Sequence, residues 1–453
     1  MNPRPRLTAA ELGADLRAGR RDAVDLVEET LAAVAAFPDQ SIFTQVTAAR
    51  ARKEALAARA RLRAGLPLSP LDGVPVAWKD LFDVEGRVTT AGSKALARNP
   101  PAREDAALIK AAGRAGLVLI GLVNMTEFAF SGIGLNPHFG TPRNPHDQTR
   151  ARAPGGSSSG SGVVVATGLT TLAIGTDTGG SVRVPASFNG IVGYKTSTGH
   201  FPMAGAFPLS RTLDTLGPLA GTVEDCVLAD AALRGAVAPE ARRGAVANLR
   251  LLIPETVVFE GCQPAVVANF EAAIDRLAAA GATIERRPLP HLQAVQELTA
   301  RRGTLVVIEA LHVHRERVSG PDAEIMDRRV VKRIRAAEKM SAYDLVDLLH
   351  SRQRLIAEAR EAIGEAIVAF PTTAHVAMPI APLEADDELF AGENLMTLRN
   401  TALGNFLDWC GVAIPNGVDG DGMPTSLLLS APHGRDAAVL SAALTAETFI
   451  RMA

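Results

Sequence analysis

Residues 155–181 read GGSSSGSGVVVATGLTTLAIGTDTGGS. Two loops of small residues, 155–162 and 176–181, flank one apolar segment, and each carries serine. Glycine lets a backbone take unusual dihedrals and approach a ligand closely, while hydroxyls supply nucleophiles and proton relays. A flexible Gly/Ser linker is the plain alternative. It is disfavoured because the first loop runs straight into Val163-Val164-Val165-Ala166, which must be buried. Loops at the two ends of one hydrophobic element are able to meet in a single active site.

Two short templates fit part of the stretch. Gly155 and Gly160 have the glycine spacing of a phosphate-binding loop, but Ser161 stands where that loop requires lysine. Gly156-Ser157-Ser158-Ser159-Gly160 satisfies the Gly-x-Ser-x-Gly nucleophile elbow and makes Ser158 a formal candidate. So short a pattern arises by chance in any Gly/Ser-rich run, and neither template accounts for the second loop.

Outward from this stretch the chain alternates helix and strand. Helical periodicity covers 22–36, 47–64, 105–112 and 265–280, and strand-like runs cover 74–78, 117–122, 249–253, 283–286, 368–371 and 376–379. A helix is expected to open at 161–167 beneath the serine loop. Thr8-x-x-Glu11 is a capping-box pattern, and residues from about 323 to 368 are helix-rich and poor in glycine. This alternation predicts an α/β architecture.

The motifs together resemble the amidase signature family. The resemblance rests on GGSSSGSG, on GTDTGGSVRVPASFNGIVGYKTS at 175–197, on Leu213-Asp214-Thr215-Leu216-Gly217-Pro218, and on Lys79 in Gly73-Val74-Pro75-Val76-Ala77-Trp78-Lys79-Asp80. Weaker similarity runs from about residue 20 to the C-terminus. It implies an α/β/α sandwich around a large mixed, mostly parallel β-sheet. It also implies a single domain over 1–453, with an N-terminal helical segment at 1–65, a catalytic core at 66–225 and a helix-rich variable lobe at 290–370 near the substrate funnel. The implied catalytic residues are Lys79 as base, Ser157 as bridging serine behind a cis Gly156–Ser157 peptide, and Ser181 as nucleophile. The two serines lie 24 residues apart, the separation usual in that family. Ser159, where the family usually has glycine, touches the loop's shape and not the triad.

The chemistry is coherent without the family. A serine hydroxyl is a poor nucleophile until a base removes its proton, and serine–lysine pairs are a known variant. Lysine must be neutral to act as a base, and burial favours the neutral form. Lys79 follows the apolar run 74–78, which reads as the end of a buried strand. An ordinary lysine paired with Asp80 is the competing reading. Ser158, Ser159 and Ser161 are expected to cap helix or loop N–H groups. Thr178, Gly179, Gly180 and Ser181 would form the oxyanion hole, whose donors are typically worth about 2.7–4 kcal/mol each; a plain tight turn is the alternative. Asp177 and Arg183 are expected to brace this loop. In some members of the family the corresponding arginine meets a substrate carboxylate, which also makes Arg183 a substrate-binding candidate. Phe128, Phe130 and Ile133, in a stretch similar to a family loop near the acyl pocket, are candidates to line that pocket or to join the core.

Composition narrows the partners. The chain has 453 residues, 47 basic against 49 acidic, so charge gives no reason to expect nucleic acid or a membrane surface. The basic run Arg328-Arg329-Val330-Val331-Lys332-Arg333 reads as a solvated helix face. Cys226, Cys262 and Cys410 are too sparse for a disulfide framework and fit a reducing cytoplasm. The N-terminus lacks a signal-peptide core, and no run is apolar enough to span a membrane. His312-Val313-His314 offers two imidazoles and no third ligand, so no metal and no organic cofactor is expected. Oligomeric state is not constrained, and a homodimer is compatible.

The expected reaction is hydrolysis of aryl or alkyl amides to carboxylate and amine through a seryl acyl-enzyme, with carbamates and esters open to the same chemistry. Two alternatives stand beside it. One is the glutaminase subunit of a tRNA amidotransferase, whose members usually carry Gln at the positions of Val184 and Thr215. The other is an inactive scaffold subunit, which would have lost triad groups that are all present here.

Overall fold

Eleven strands form one sheet: β1 (Phe43–Val46), β2 (Pro75–Lys79), β3 (Val118–Val123), β4 (Leu172–Asp177), β5 (Val192–Lys195), β6 (Thr215–Ala220), β7 (Arg250–Pro254), β8 (Thr283–Arg287), β9 (Ile367–Pro371), β10 (Cys410–Val418) and β11 (Pro424–Ala431). The computed structural model describes residues 7–451, so the first six positions of the expected N-terminal segment and the last two of the chain lie outside the described residues. The strand order is β1-β3-β2-β4-β6-β5-β10-β11-β9-β7-β8.

The sheet is mixed, as expected, but parallel pairing does not predominate. β3–β2, β2–β4, β9–β7 and β7–β8 are parallel. The other six adjacencies are antiparallel. β10 and β11 are joined by a tight turn in which Asp419 N–H donates to Met423 O at 2.9 Å, a connection open only to antiparallel neighbours. β6 inserts antiparallel between β4 and β5.

Alternate residues of the inner strands feed two different apolar clusters. Val76 and Trp78 of β2 and Leu172 and Ile174 of β4 pack in one, whereas Ala77 and Ala173 pack in the other. Every residue of β2, β3 and β4 is buried, which is why these strands read as continuous apolar runs. Helices Ala107–Arg114 and Val223–Arg234 cover the first face, and Ala23–Ala36 and Ser159–Ala166 the second. At one rim β8 carries Glu285, Arg286 and Arg287, charges that discourage pairing with another chain.

The local signals agree with the elements. Thr8 and Glu11 form the capping box of the helix Ala9–Arg17, and Asp22 caps Ala23–Ala36. One strand expectation fails. Residues 376–379 are irregular, with a single bridge from Pro379 to Arg152. β9 already has β11 and β7 on its two sides, so no edge is free for this segment. Its backbone bonds instead to Gln263 and to Ala153.

Between 290 and 370 lie the helices Pro290–Arg302, Leu305–Ser319, Arg328–Arg335 and Ala342–Ile363. Among the described residues, no helix is long and apolar enough to cross a membrane.

Candidate active site

β2 and β4 run parallel as direct neighbours, so their C-terminal ends reach the same rim of the sheet. There β2 delivers Lys79 and β4 delivers Thr176 and Asp177. The helix Ser159–Ala166 packs its valines beneath the same end, which seats the serine loop between the two strands. Glycine is required in that seat: a Cβ on Gly160 would lie 2.5 Å from the Asn124 backbone nitrogen.

Lys79 is fully buried. Its Nζ donates to Ser157 Oγ at 2.7 Å and to Thr176 Oγ1 at 2.7 Å. The Gly156–Ser157 peptide is cis. Burial pulls the Lys79 ammonium down to about 7 against the opposing pull of Asp214 and Asp177, so the neutral amine is well populated near neutral pH. Asp80 does not pair with Lys79; its carboxylate accepts from Thr90 Oγ1 at 2.5 Å. The reading of Lys79 as an ordinary ion-paired lysine therefore does not describe this site.

The two serine loops touch through their backbones, Ser158 N–H donating to Ser181 O at 3.3 Å. Ser181, Thr178 and Gly179 line a cavity of about 320 Å³, at the small end of the range for small-molecule sites. Gly180 departs from its expected role. Its N–H donates to Asp177 Oδ1 at 2.9 Å, and it is not among the cavity-lining residues. Its φ is +137°, and a Cβ there would meet Thr401 Oγ1 at 2.2 Å. Gly180 thus shapes the turn, which leaves the amides of Thr178, Gly179 and Ser181 as the candidate oxyanion donors. The Thr178 hydroxyl is anchored to Asp214 Oδ1 at 2.6 Å.

Arg183 is also placed differently from its substrate-binding expectation. Only 1 % exposed, its guanidinium bonds Asp177 through Nε (3.0 Å) and Nη2 (2.9 Å), and Nη2 also reaches Thr401 O and Asn405 Oδ1. Burial pushes the Asp177 carboxyl up, but Arg183, together with Lys195 and Asn405, holds it well below the usual carboxylate range. Asp177 also accepts from the Val182 and Gly180 amides. The pair is an internal brace for the Ser181 turn, the other role foreseen for it.

Of the three pocket candidates, Phe130 lines the cavity. Phe128 is core, its ring 4.1 Å from His314 and 5.8 Å from Phe207. Ile133 packs in a separate cluster with Leu135, Ile380 and Leu383. The serine hydroxyls expected to cap N–H groups mostly do something else. Ser158 Oγ donates to Thr176 O (3.3 Å) and accepts from Thr176 N–H, and Ser161 Oγ donates to Ile174 O (3.4 Å). They tie the buried helix to β4. Ser159 Oγ is buried without a hydrogen-bond partner among the described residues. Ser158 does not line the cavity, so the elbow reading finds no nucleophile there.

Several contributors escape the sequence reading. Thr176 sits inside the quoted motif but reads there as a turn residue; as the second acceptor for Lys79 it aims the amine at Ser157. Thr176→Val keeps the shape and removes that acceptor. We expect kcat to fall about tenfold, the loss of one hydrogen bond of ~1.4 kcal/mol, with KM unchanged in steady-state assays. Glu309 accepts from Ser210 Oγ, Thr212 N and Thr212 Oγ1, and Leu209 and Ser210 donate their amides to Asp214. Through Asp214 this contact ties the helix Leu305–Ser319 to Thr178. Arg333, read as part of a solvated face, lines the cavity with Thr304. Its guanidinium carbon lies 4.4 Å from the Phe130 ring centroid, and Nη1 donates to Phe130 O at 3.0 Å. Burial draws its pKa down to about 10, which leaves it cationic at neutral pH.

Comparison with known proteins gives one pattern. Residues 25–440 match the family described as Amidase. The chain is 38% identical over 451 residues to the 2-amino-5-chloromuconic acid deaminase of Comamonas testosteroni, covering 98% of this chain and 96% of that one. It is 33% identical to one subunit of the glutamyl-tRNA(Gln) amidotransferase of Salinispora arenicola (strain CNS-205), covering 95% and 94%. A crystal structure of an amidase superposes with a TM-score of 0.86 at 31% identity, covering 98% of this chain and all of the other.

Proposed function

This chain belongs to the amidase signature family, and on that premise we propose that it hydrolyses small amides through an acyl-enzyme on Ser181, with Lys79 and Ser157 as the proton relay. It is an amidohydrolase that cleaves carbon–nitrogen bonds. The observation that carries the finer reading is the buried Lys79 amine 2.7 Å from Ser157 Oγ, in the loop whose Ser158 N–H bonds the carbonyl of Ser181, itself a cavity-lining residue.

Ser181 Oγ attacks the carbonyl carbon. Its proton passes to Ser157 as the Ser157 proton passes to Lys79. The carbonyl oxygen takes the charge and faces the amides of Thr178, Gly179 and Ser181. Collapse of the tetrahedral adduct breaks the C–N bond, and the Lys79 ammonium returns a proton through Ser157 to the leaving amine. Water then attacks the acyl-serine, loses its proton to the same relay and releases the carboxylate, restoring Ser181. Carbamates and esters present the same carbonyl to the same nucleophile. In this reading the chain acts as one domain, the helices between 290 and 370 shape the substrate funnel, and the place of action is the cytoplasm, in keeping with three free cysteines.

The similarity to an amidotransferase component favours a second reading, a glutaminase that works only within a complex. Val184 and Thr215 count against it. Val184 is buried apolar core, and Thr215 Oγ1 donates to Asp177 O at 2.8 Å. Labelling of the purified chain with a fluorophosphonate, followed by peptide mapping, tests the proposal. Stoichiometric label at Ser181, lost in Lys79→Ala, together with amide turnover without partner chains, is the expected outcome. Label at Ser158, or none on folded protein, would overturn it.

A further inference from the structure

We propose that Glu309 is a positioning residue for the oxyanion donors: by anchoring the turn 209–214 it holds Thr178 in place, and so couples the helix that walls the Ser181 cavity to the turn that takes the carbonyl charge. This inference rests on the acyl-enzyme reading and names a residue outside the cavity on which its rate depends.

Three observations carry it. First, the ladder between β4 and β6 ends at the pair Asp177–Thr215. Thr178 is the next residue, and it is held there through its side chain, Oγ1 donating to Asp214 Oδ1 at 2.6 Å. The Thr178 amide is therefore only as well aimed as Asp214 is. Preorganised aim is what gives an oxyanion donor its worth.

Second, Asp214 is placed by its own turn. Its Oδ2 accepts the amides of Leu209 and Ser210, each at 3.0 Å, while Ser210 O accepts those of Leu213 and Asp214. These bonds close the turn on itself and leave its placement to outside contacts. Glu309 supplies three. Its carboxylate accepts from Ser210 Oγ, from Thr212 N–H at 3.2 Å and from Thr212 Oγ1 at 2.5 Å. Bonds to an ionised acceptor are roughly twice as strong as neutral ones, which suits a contact that must hold a loop still.

Third, Glu309 stands on the helix Leu305–Ser319, whose first residues, Leu305 and Val306, line the Ser181 cavity. Leu305 and Glu309 are four residues apart and share one helix face. Leu209 and Leu213, from the anchored turn, line the same cavity. A substrate that fills it thus touches both ends of the Glu309 contact, although Glu309 is not itself a lining residue. Glu309 borders a separate cavity of about 870 Å³, so its truncation leaves no sealed void.

The test is a double-mutant cycle read by the rate of Ser181 labelling, which requires no physiological substrate. Wild type, Glu309→Ala, Thr178→Val and the double variant, each full length, are labelled with increasing fluorophosphonate to separate the limiting rate, kinact, from the reversible constant, KI. Each single variant is expected to lower kinact about tenfold, part of the ~10²- to 10³-fold that outright loss of an oxyanion donor costs. KI is expected to stay within about twofold, because the ground state makes little use of those donors. The double variant should label within about twofold of the slower single variant, since both changes break one link. Glu309→Gln, which keeps an acceptor for Thr212, should recover most of the rate. Should Glu309→Ala fail to fold, Glu309→Asp, with its carboxylate withdrawn by one methylene, carries the same cycle. An unchanged kinact in either single variant, a loss carried by KI, or penalties that multiply in the double variant overturns the proposal. Failure of Ser181 to label in the wild-type protein instead strikes the acyl-enzyme reading beneath it.

Discussion

Ser181→Ala lowers kcat for any amide substrate by at least about 10⁴-fold, the scale on which loss of a serine nucleophile is felt. Neither serine of the facing loop beside Lys79 can take its place. Ser158 is fully buried, bonded to β4 and outside the cavity. Ser157 already receives the Lys79 amine and serves the relay. The residual rate would come from water held against the remaining donors. Stability should hardly change. Ser181 Oγ has no hydrogen-bond partner among the described residues, so its removal leaves no buried group unpaired, and the unfolding free energy should stay within about 0.5 kcal/mol. Active-site titration, kcat and a denaturation curve on the same preparation separate these effects. A Ser181→Ala protein that unfolds early would mean the hydroxyl is structural. One that keeps turnover would mean the nucleophile lies elsewhere.

Most of the fold and the heart of this site are legible because they lie in contiguous sequence. The valines of 163–165 cannot face water, so the Gly/Ser loop before them has to be seated, and the structure seats it on a buried helix. Lys79 is recognisable as a strand-end lysine, since 75–78 have no polar side chain to give a solvent-exposed face. Thr8 and Glu11 announce their helix start by spacing alone.

What escapes depends on neighbours far along the chain. Parallel and antiparallel pairing differ in which strands are adjacent, and β6 lies between β4 and β5 without any local signature. Phe128 and Phe130 look alike on paper, but the first turns onto His314 and the second onto the cavity. Arg333 follows a run in which Val330, Val331 and Ile334 point inward. At three residues from Val330 it lies on the flank of that apolar stripe. Whether a flank residue meets water or a cavity is decided by Phe130, 203 positions away. Gly180 reads as an oxyanion donor because glycine suggests a free amide, but Asp177 claims that amide.

Lys79→Met should separate function from stability most sharply. Activity falls by about 10²- to 10⁴-fold, the usual contribution of a positioned general base, because methionine fills the space without accepting a proton. In the wild-type protein kcat/KM should rise with pH through about 7 as the buried ammonium gives up its proton, and this limb should be missing from the variant's residual rate. Stability moves the other way. Lys79 titrates near 10.5 when unfolded and is lowered to about 7 when folded. Above 10.5 both states are neutral and the lysine carries no proton-linked penalty. As pH falls from there to about 7, the unfolded chain binds a proton that the folded one refuses, and the folded state loses ground. Below about 7 both are protonated and the loss stops growing. With each tenfold drop in proton affinity worth ~1.4 kcal/mol, the penalty at neutral pH amounts to several kcal/mol. Methionine carries no such penalty, although it leaves the Ser157 and Thr176 hydroxyls without their lysine partner, at roughly 1–3 kcal/mol for an unsatisfied group. The variant is therefore expected to melt at or above the wild-type temperature at pH 7, with an advantage that shrinks steadily towards pH 10. Buried Asp80, raised to about 6 by burial, does not pair with Lys79 and cancels in the difference; Asp214, also raised to about 6 by burial, interacts with Lys79, so the difference is read from pH 7 upward, above its titration. Melting curves of the two proteins between pH 7 and 10 would show it. A wild-type protein more stable than Lys79→Met at pH 7 would mean that the lysine is held as a charged structural group and is not the base.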